Sequence, residues 1–254
     1  MATFIRYSYQ DSIGYGRLDN HTVYPLTGSF LDPDNTESGN SIPVDKVRIL
    51  APVMPSKAVC VGLNYKAHTQ ELNMDLPTTP VLFMKPSTAV IAHKDVIVPP
   101  VWMSSRTDYE GELVIVIGKT AHRVNEKDAS SYIFGYTIGN DVTARDLQNP
   151  QGQWTVSKGF DTFLPLGPVV KTGIDVSDIS VETRVNGVVK QQSSTSHLIF
   201  KPAFLVSYIS QVMTLYPGDI IMTGTPAGIG PVSGGDVIEV SIGGIGTLSN
   251  TVAR

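Results

Sequence analysis

Short alternating stretches of apolar and polar side chains open the chain and set the expected architecture. Thr3 to Tyr9, Gly14 to Asp19 and His21 to Leu26 read as strands, followed by a polar loop from Asp32 to Asn40. Ala58 to Gly62 is a brief apolar strand, and Asn64 just after it is placed to cap a helix over Tyr65 to Leu72. The stretch from Asn73 to Pro80 has no periodicity and reads as a loop beside that helix, positioned to act as a lid. Leu113 to Ile117 is an unbroken run of Leu and β-branched residues bounded by Gly111 and Gly118, the pattern of a strand covered on both faces. Asn125 is placed to cap a helix from Glu126 to about Ile133. Pro202 opens another helix, with Phe204, Leu205, Ile209, Val212 and Met213 at helical spacing and Pro217-Gly218 as its stop. From Ile220 onward short strands alternate with Gly-rich turns, the pattern of a sandwich or rolled sheet. The expected fold is therefore mainly β with short helices (α+β), with a small N-terminal β domain over 1–50 and a larger domain over 51–254.

Composition narrows the partners. The 254 residues are 41% hydrophobic and 17% charged, and 23 Gly and 17 Pro favour a turn-rich β protein over a helical bundle. The net charge of -4 comes without any Lys/Arg run, so neither nucleic acid nor an anionic membrane is an expected partner, and a small molecule is. The first residues, MATFIRYSYQDSIGYG, lack the basic start and apolar stretch of a signal peptide. No run approaches the roughly 20 apolar residues of a membrane span, so a cytoplasmic protein is expected. The single cysteine, Cys60, stands between Val59 and Val61 in a strand expected to be buried.

Three constellations carry possible chemistry. Glu110 and Glu112 are two apart at the start of the buried run, so on a strand their carboxylates share a face and repel. They are either solvated residues at a strand mouth or ligands of a hard divalent cation that offsets their charge. Oxygen ligands without nearby Cys or clustered His select Mg²⁺ or Mn²⁺, and Asp141, in the polar segment Gly139 to Asp146, is the preferred third ligand. A turn role for Asp141 is the alternative, and Asp108 and Asp146 are its rivals as ligand. His68 and Glu71, three apart on the expected helix, form either a surface contact or a base that activates water. The glycines from Gly224 to Gly230 lack the ending of a phosphate loop and read as turns, and no Gly-x-Ser-x-Gly or His-Glu-x-x-His motif is present.

Taken together, the segments Cys-Val-Gly-Leu-Asn-Tyr-Lys-Ala-His (60–68) with Glu71, Phe-Met-Lys-Pro (83–86), Asp-Tyr-Glu-Gly-Glu-Leu (108–113), Asn-Asp-Val-Thr-Ala-Arg-Asp-Leu-Gln (140–148), Lys-Gly-Phe-Asp-Thr-Phe-Leu-Pro-Leu-Gly-Pro (158–168) and Gly-Asp-Ile-Ile-Met-Thr-Gly-Thr-Pro-Ala-Gly-Ile-Gly (218–230) resemble the fumarylacetoacetate hydrolase family from about Val59 to Thr251. The resemblance implies a rolled mixed β-sandwich, usually a homodimer, with Mg²⁺ or Mn²⁺ held by Glu110, Glu112 and Asp141. It implies that His68 and Glu71 are a water-activating dyad under a lid, and that Lys158 lies near the metal and the reacting carbonyl. Thr162 falls in the metal's outer surroundings, and Arg145, Gln148, Thr225 and Lys85 among the substrate contacts. Gly159 departs from the Ser that many relatives carry there, which leaves the loop that positions Lys158 open. The activity implied is cleavage of a carbon-carbon bond in a small 2-oxo acid, by acylpyruvate hydrolysis or oxaloacetate decarboxylation through an enolate. The alternatives are an isomerase or decarboxylase of 2-hydroxyhepta-2,4-dienedioate-type intermediates, and a binding protein that keeps a stabilising metal.

Overall fold

The computed structural model describes residues 1–71, 75–149 and 151–254. Three sheets dominate it. The largest has 12 strands and is mixed. Its path runs from Ile42–Pro43 through Thr22–Pro25, Ser12–Asp19, Ala2–Tyr9, Leu164–Thr172, Ile133–Asn140, Gly111–Ile117, Ile220–Met222 and Ala58–Gly62 to Val81–Lys85. A second sheet of five strands contains the hairpin Ser180–Val185 and Val188–Ser194 and the hairpin Val237–Ile242 and Gly246–Val252. A small three-stranded sheet joins Thr143–Ala144, Thr107–Tyr109 and Gly230–Pro231. The expected mainly-β fold with short helices is observed. Among the described residues, no helix is long and apolar enough to cross a membrane.

The apolar run Gly111–Ile117 is buried at every position, as its pattern predicts. It pairs with Ile133–Asn140 on one side and Ile220–Met222 on the other, and apolar clusters cover both of its faces. The first strand, Ala2–Tyr9, pairs with Leu164–Thr172, so the N-terminal segment continues the large sheet.

Several local expectations give way to tertiary contacts. Asn64 does not cap the helix, which spans Lys66–Glu71 among the described residues, with Leu72 outside them. Its side chain instead reaches across the fold: Oδ1 accepts from Phe200 N–H at 2.7 Å, and Nδ2 donates to Phe200 O at 3.0 Å and Thr223 O at 2.7 Å. The expected lid loop from Asn73 to Pro80 lies partly outside the described residues, and 75–80 form no helix or strand. Asn125 makes no side-chain cap, and the helix there shortens to Glu126–Ala129, followed by a 3-10 turn, because Ile133 is drawn into the sheet opposite Ile117. The helix Pro202–Val212 stops before Pro217, since Leu215 forms a bridge with Ala121. Its buried face is Leu205, Val206 and Ile209, while Val212 is 63% exposed.

Candidate active site

Strand geometry brings three carboxylates together. Glu110 and Glu112 flank Gly111 where the 111–117 strand begins, and Asp141 follows the end of its neighbour Ile133–Asn140. Two backbone links fix this junction: Asp141 N–H donates to Glu110 O at 2.8 Å, and Glu110 N–H donates to Asn140 Oδ1 at 2.9 Å. All three side chains are buried, and each offers an oxygen within 4.8 Å of the others. Both rival acids are engaged elsewhere. Asp108 pairs with Arg106 and Arg145, each at 2.9 Å, and Asp146 accepts from Ser104 and Ser105.

Cations crowd this cluster. Lys158, at the end of the one-turn helix Thr155–Lys158, donates to Glu110 Oε2 at 2.8 Å and Asp141 Oδ2 at 2.7 Å. Lys85 donates to Asp141 Oδ1 and, at 2.8 Å, to Val142 O. Arg145 donates to Glu110 Oε1, to Gln148 Oε1 and to Asp108. Burial alone would raise the Glu110 carboxyl, but the charges of Lys158 and Arg145 hold it below its ordinary value. Glu112 is different. Burial and the charges of Asp141 and Glu110 push its carboxyl well up, and the Gly224 N–H at 2.7 Å is its hydrogen-bond donor. Glu112 is thus the one acid of the three with no ion-pair partner among the described side chains. An all-oxygen, buried donor set with one under-compensated carboxylate fits a hard divalent cation.

A cavity of about 180 Å³ opens over this cluster. Its polar side is formed by the three acids with His68, Arg145, Gln148, Lys158 and Thr225, and its apolar side by Val61, Leu63, Phe83 and Trp154. His68 is 4% exposed, and its Nδ1 lies 3.0 Å from Glu71 Oε2. The other oxygen of Glu71 accepts from Gly228 N–H at 3.0 Å. With Nδ1 engaged by the carboxylate, Nε2 is the ring nitrogen left for a ligand. His68, Glu110, Glu112, Asp141, Arg145, Gln148, Thr225 and Lys158 therefore line one cavity.

Two residues do not. Lys85, expected at the substrate, is fully buried beneath the acids, so its ammonium supports Asp141. Thr162, expected near the metal, adopts a left-handed backbone (φ 69°) that turns Oγ1 to Val98 N–H at 2.9 Å, in a separate groove beside Trp102 and Phe160. Gly159 ends the Lys158 helix, and a Cβ there would lie 2.7 Å from Thr155 O, so this turn has no room for Ser without adjustment. Sequence reasoning also missed Phe83 and Trp154. The signal for Trp154 is Gly62, whose missing Cβ leaves room for the indole, since an added one would stand 2.6 Å from Trp154 Cζ3.

A family model described as fumarylacetoacetate (FAA) hydrolase C-terminal matches residues 57–253. The chain belongs to the fumarylacetoacetate hydrolase family. A second model, Rv2993c-like, N-terminal, matches residues 3–52. Over 223 residues the chain is 42% identical to oxaloacetate tautomerase YisK of Bacillus subtilis, covering 82% of this chain and 74% of that protein. The crystal structure of 2-hydroxyhepta-2,4-diene-1,7-dioate isomerase from Mycobacterium marinum superposes with a TM-score of 0.92 at 41% identity, covering 100% of this chain and 99% of that one. Fumarylpyruvate hydrolase from Pseudomonas aeruginosa, solved with Mn²⁺ and pyruvate, gives a TM-score of 0.74 at 32% identity over 85% of this chain and 92% of that one. Within this family, the relatives thus divide among tautomerase, isomerase and hydrolase chemistry.

Proposed function

We propose that the protein is a Mg²⁺- or Mn²⁺-dependent enzyme that moves a proton between carbon and oxygen of a small 2-oxo acid, with oxaloacetate keto-enol interconversion as the reaction. The observation that carries this reading is His68, buried in the cavity wall beside the three acids, with Nδ1 held by Glu71 and Nε2 left for the substrate. Glu110, Glu112 and Asp141 would hold the divalent cation, which would supply a Lewis acid to the 2-oxo acid. His68 Nε2 takes the proton from the carbon next to the carbonyl, and Glu71 stabilises the imidazolium that results. The Lys158 ammonium, which lines the cavity beside Glu110 and Asp141, hydrogen-bonds the developing oxyanion and gives it a proton.

Charge supports a dianionic substrate. The four carboxylates Asp108, Glu110, Glu112 and Asp141 equal in number the four cations Lys85, Arg106, Arg145 and Lys158, although none of these cations pairs with Glu112. A divalent cation therefore leaves two positive charges in excess, which a 2-oxo dicarboxylate cancels.

Carbon-carbon bond cleavage is the second reading. The Glu71 anchor on Gly228 holds His68 as it would need to be held to activate a water, and the likeness to fumarylpyruvate hydrolase favours this branch. Water attack on the distal carbonyl of an acylpyruvate would release a free acid and the enolate of pyruvate. Decarboxylation of oxaloacetate would produce the same enolate without a nucleophilic water.

The deciding experiment follows loss of oxaloacetate enol absorbance and loss of acetylpyruvate, with Mg²⁺ or Mn²⁺ and after EDTA. Metal-dependent interconversion that falls by about 10²–10⁴ in His68→Ala supports the proton-transfer reading. Turnover insensitive to EDTA, or undiminished in His68→Ala, overturns it, and acetylpyruvate consumption alone moves the assignment to the hydrolytic branch.

A further inference from the structure

Gln191 lies on the hairpin strand Val188–Ser194, in a different sheet from the acid cluster. Its side chain is fully buried, yet its amide is spent on the backbone of the site. Oε1 accepts from Gly111 N–H at 3.0 Å, while Nε2 donates to Thr225 Oγ1 and to Pro226 O, both at 2.8 Å. Thr225 Oγ1 in turn donates to Gly111 O at 3.0 Å. Both polar backbone groups of Gly111 are therefore held, one by Gln191 directly and the other through Thr225.

Gly111 is the residue between Glu110 and Glu112. A glycine has the loosest backbone of any residue, so the spacing of the two flanking carboxylates depends on what holds Gly111 from outside. Divalent-cation coordination tolerates only a few tenths of an ångström in oxygen position, most strictly for Mg²⁺. A buried amide whose oxygen and one N–H serve this junction, while its other N–H is anchored on Pro226 O, is well suited to that restraint.

We propose that Gln191 is a positioning residue for metal binding, fixing Gly111 and through it the separation of the Glu110 and Glu112 carboxylates. This rests on the metal reading of the site. Gln191→Met keeps the side chain's length and removes its three hydrogen bonds. Titration calorimetry with Mn²⁺, run well below the melting transition, is expected to show affinity weakened by about 10–100-fold, the usual cost of losing a support behind a ligand. Val181→Ala, which opens a cavity in the adjoining strand without touching these bonds, is expected to lower the melting temperature and leave Mn²⁺ affinity unchanged. If Gln191→Met does not fold, Thr225→Val, which removes the links to Gly111 O and to Gln191 Nε2 but leaves Gln191 on Gly111 N–H, carries the same test with a smaller expected loss. Affinity in Gln191→Met within about twofold of wild type, or an equal loss in Val181→Ala, overturns the positioning role. Wild-type protein that binds no Mn²⁺ overturns the metal reading itself and this proposal with it.

Discussion

Lys158 Nζ stands between Glu110 Oε2 and Asp141 Oδ2, at 2.8 and 2.7 Å, so the ammonium holds two of the oxygens that a divalent cation would bind. The lysine offsets the charge of these two carboxylates, and on the proposed metal reading a cation would compete with it for the same oxygens. In metal-free Lys158→Met, two buried carboxylates lose a partner, which costs about 3–5 kcal/mol and lowers the melting temperature by roughly 5–20 °C. Mn²⁺ is expected to restore most of that loss and to bind more tightly than in wild type, while turnover stays low. Thermal unfolding with and without Mn²⁺ checks this, and a variant as stable as wild type without metal contradicts it.

The dyad depends on a close backbone approach. Gly228 has a φ of +101°, and a Cβ there would stand 2.1 Å from Lys190 O. Gly228→Ala must therefore move the peptide whose N–H holds Glu71, at a cost of about 1–3 kcal/mol in strain. The same methyl would stand 3.3 Å from Gln191 Cα, so the disturbance reaches the acid cluster only through Gln191. Turnover is expected to fall toward that of Glu71→Gln, with a smaller loss of Mn²⁺ affinity than in Gln191→Met. Equal losses of affinity and rate would show that the two halves of the site are not separable in this way.

What the sequence made legible was local. Leu113 to Ile117 announced a buried strand, and on a strand Glu110 and Glu112 had to share a face, so this pair could be placed without a structure. His68 and Glu71 met because three residues on a helix is one turn. Contacts between distant segments left no such trace. Asn64 looks like a helix cap until Phe200 and Thr223 claim its amide, and Gln191 sits among polar neighbours with nothing to mark it as the buried one. The strand Leu164–Thr172 carries two prolines and a glycine, a composition that does not favour a strand. It is extended because Ala2–Phe4, Tyr136–Gly139 and Val90–Ile91 pair along it. Thr162 came from resemblance alone, and the local backbone turns its hydroxyl elsewhere.

Trp154 closes the apolar side of the cavity. Its ring lies over Gly62 and meets Phe83 edge-on at 5.2 Å, with Nε1 donating to Asn149 O at 3.0 Å. On the proposed 2-oxo acid reading, this wall would limit how large a substituent the substrate can carry. Trp154→Ala is expected to shift relative kcat/KM toward a bulky 2-oxo acid over a small one by about 10-fold or more. Gly62→Ala drives a methyl into the indole and should weaken the small substrate instead, chiefly through KM, with a cost of about 1–3 kcal/mol. Unchanged selectivity in both variants would remove Trp154 from the specificity wall.

His93 gives the fold a pH dependence separate from the acid cluster. Its Nδ1 accepts from Ser249 N–H at 3.0 Å, beside Lys94, Asp95, Asp45 and Arg48. Burial first, and the Lys94 charge next, hold the imidazole below its ordinary 6.5 despite Asp95. The unfolded chain therefore takes up the proton before the folded one as pH falls. Stability is expected to be level above about pH 6.5, to fall as pH drops from there toward the folded value, and to level again below it. His93→Asn keeps an acceptor for Ser249 and removes the titration, so this step should flatten. Melting curves in EDTA between about pH 7.5 and 5.5, where His is the side chain that ordinarily titrates, separate the two proteins. Parallel curves would show that another group carries the dependence.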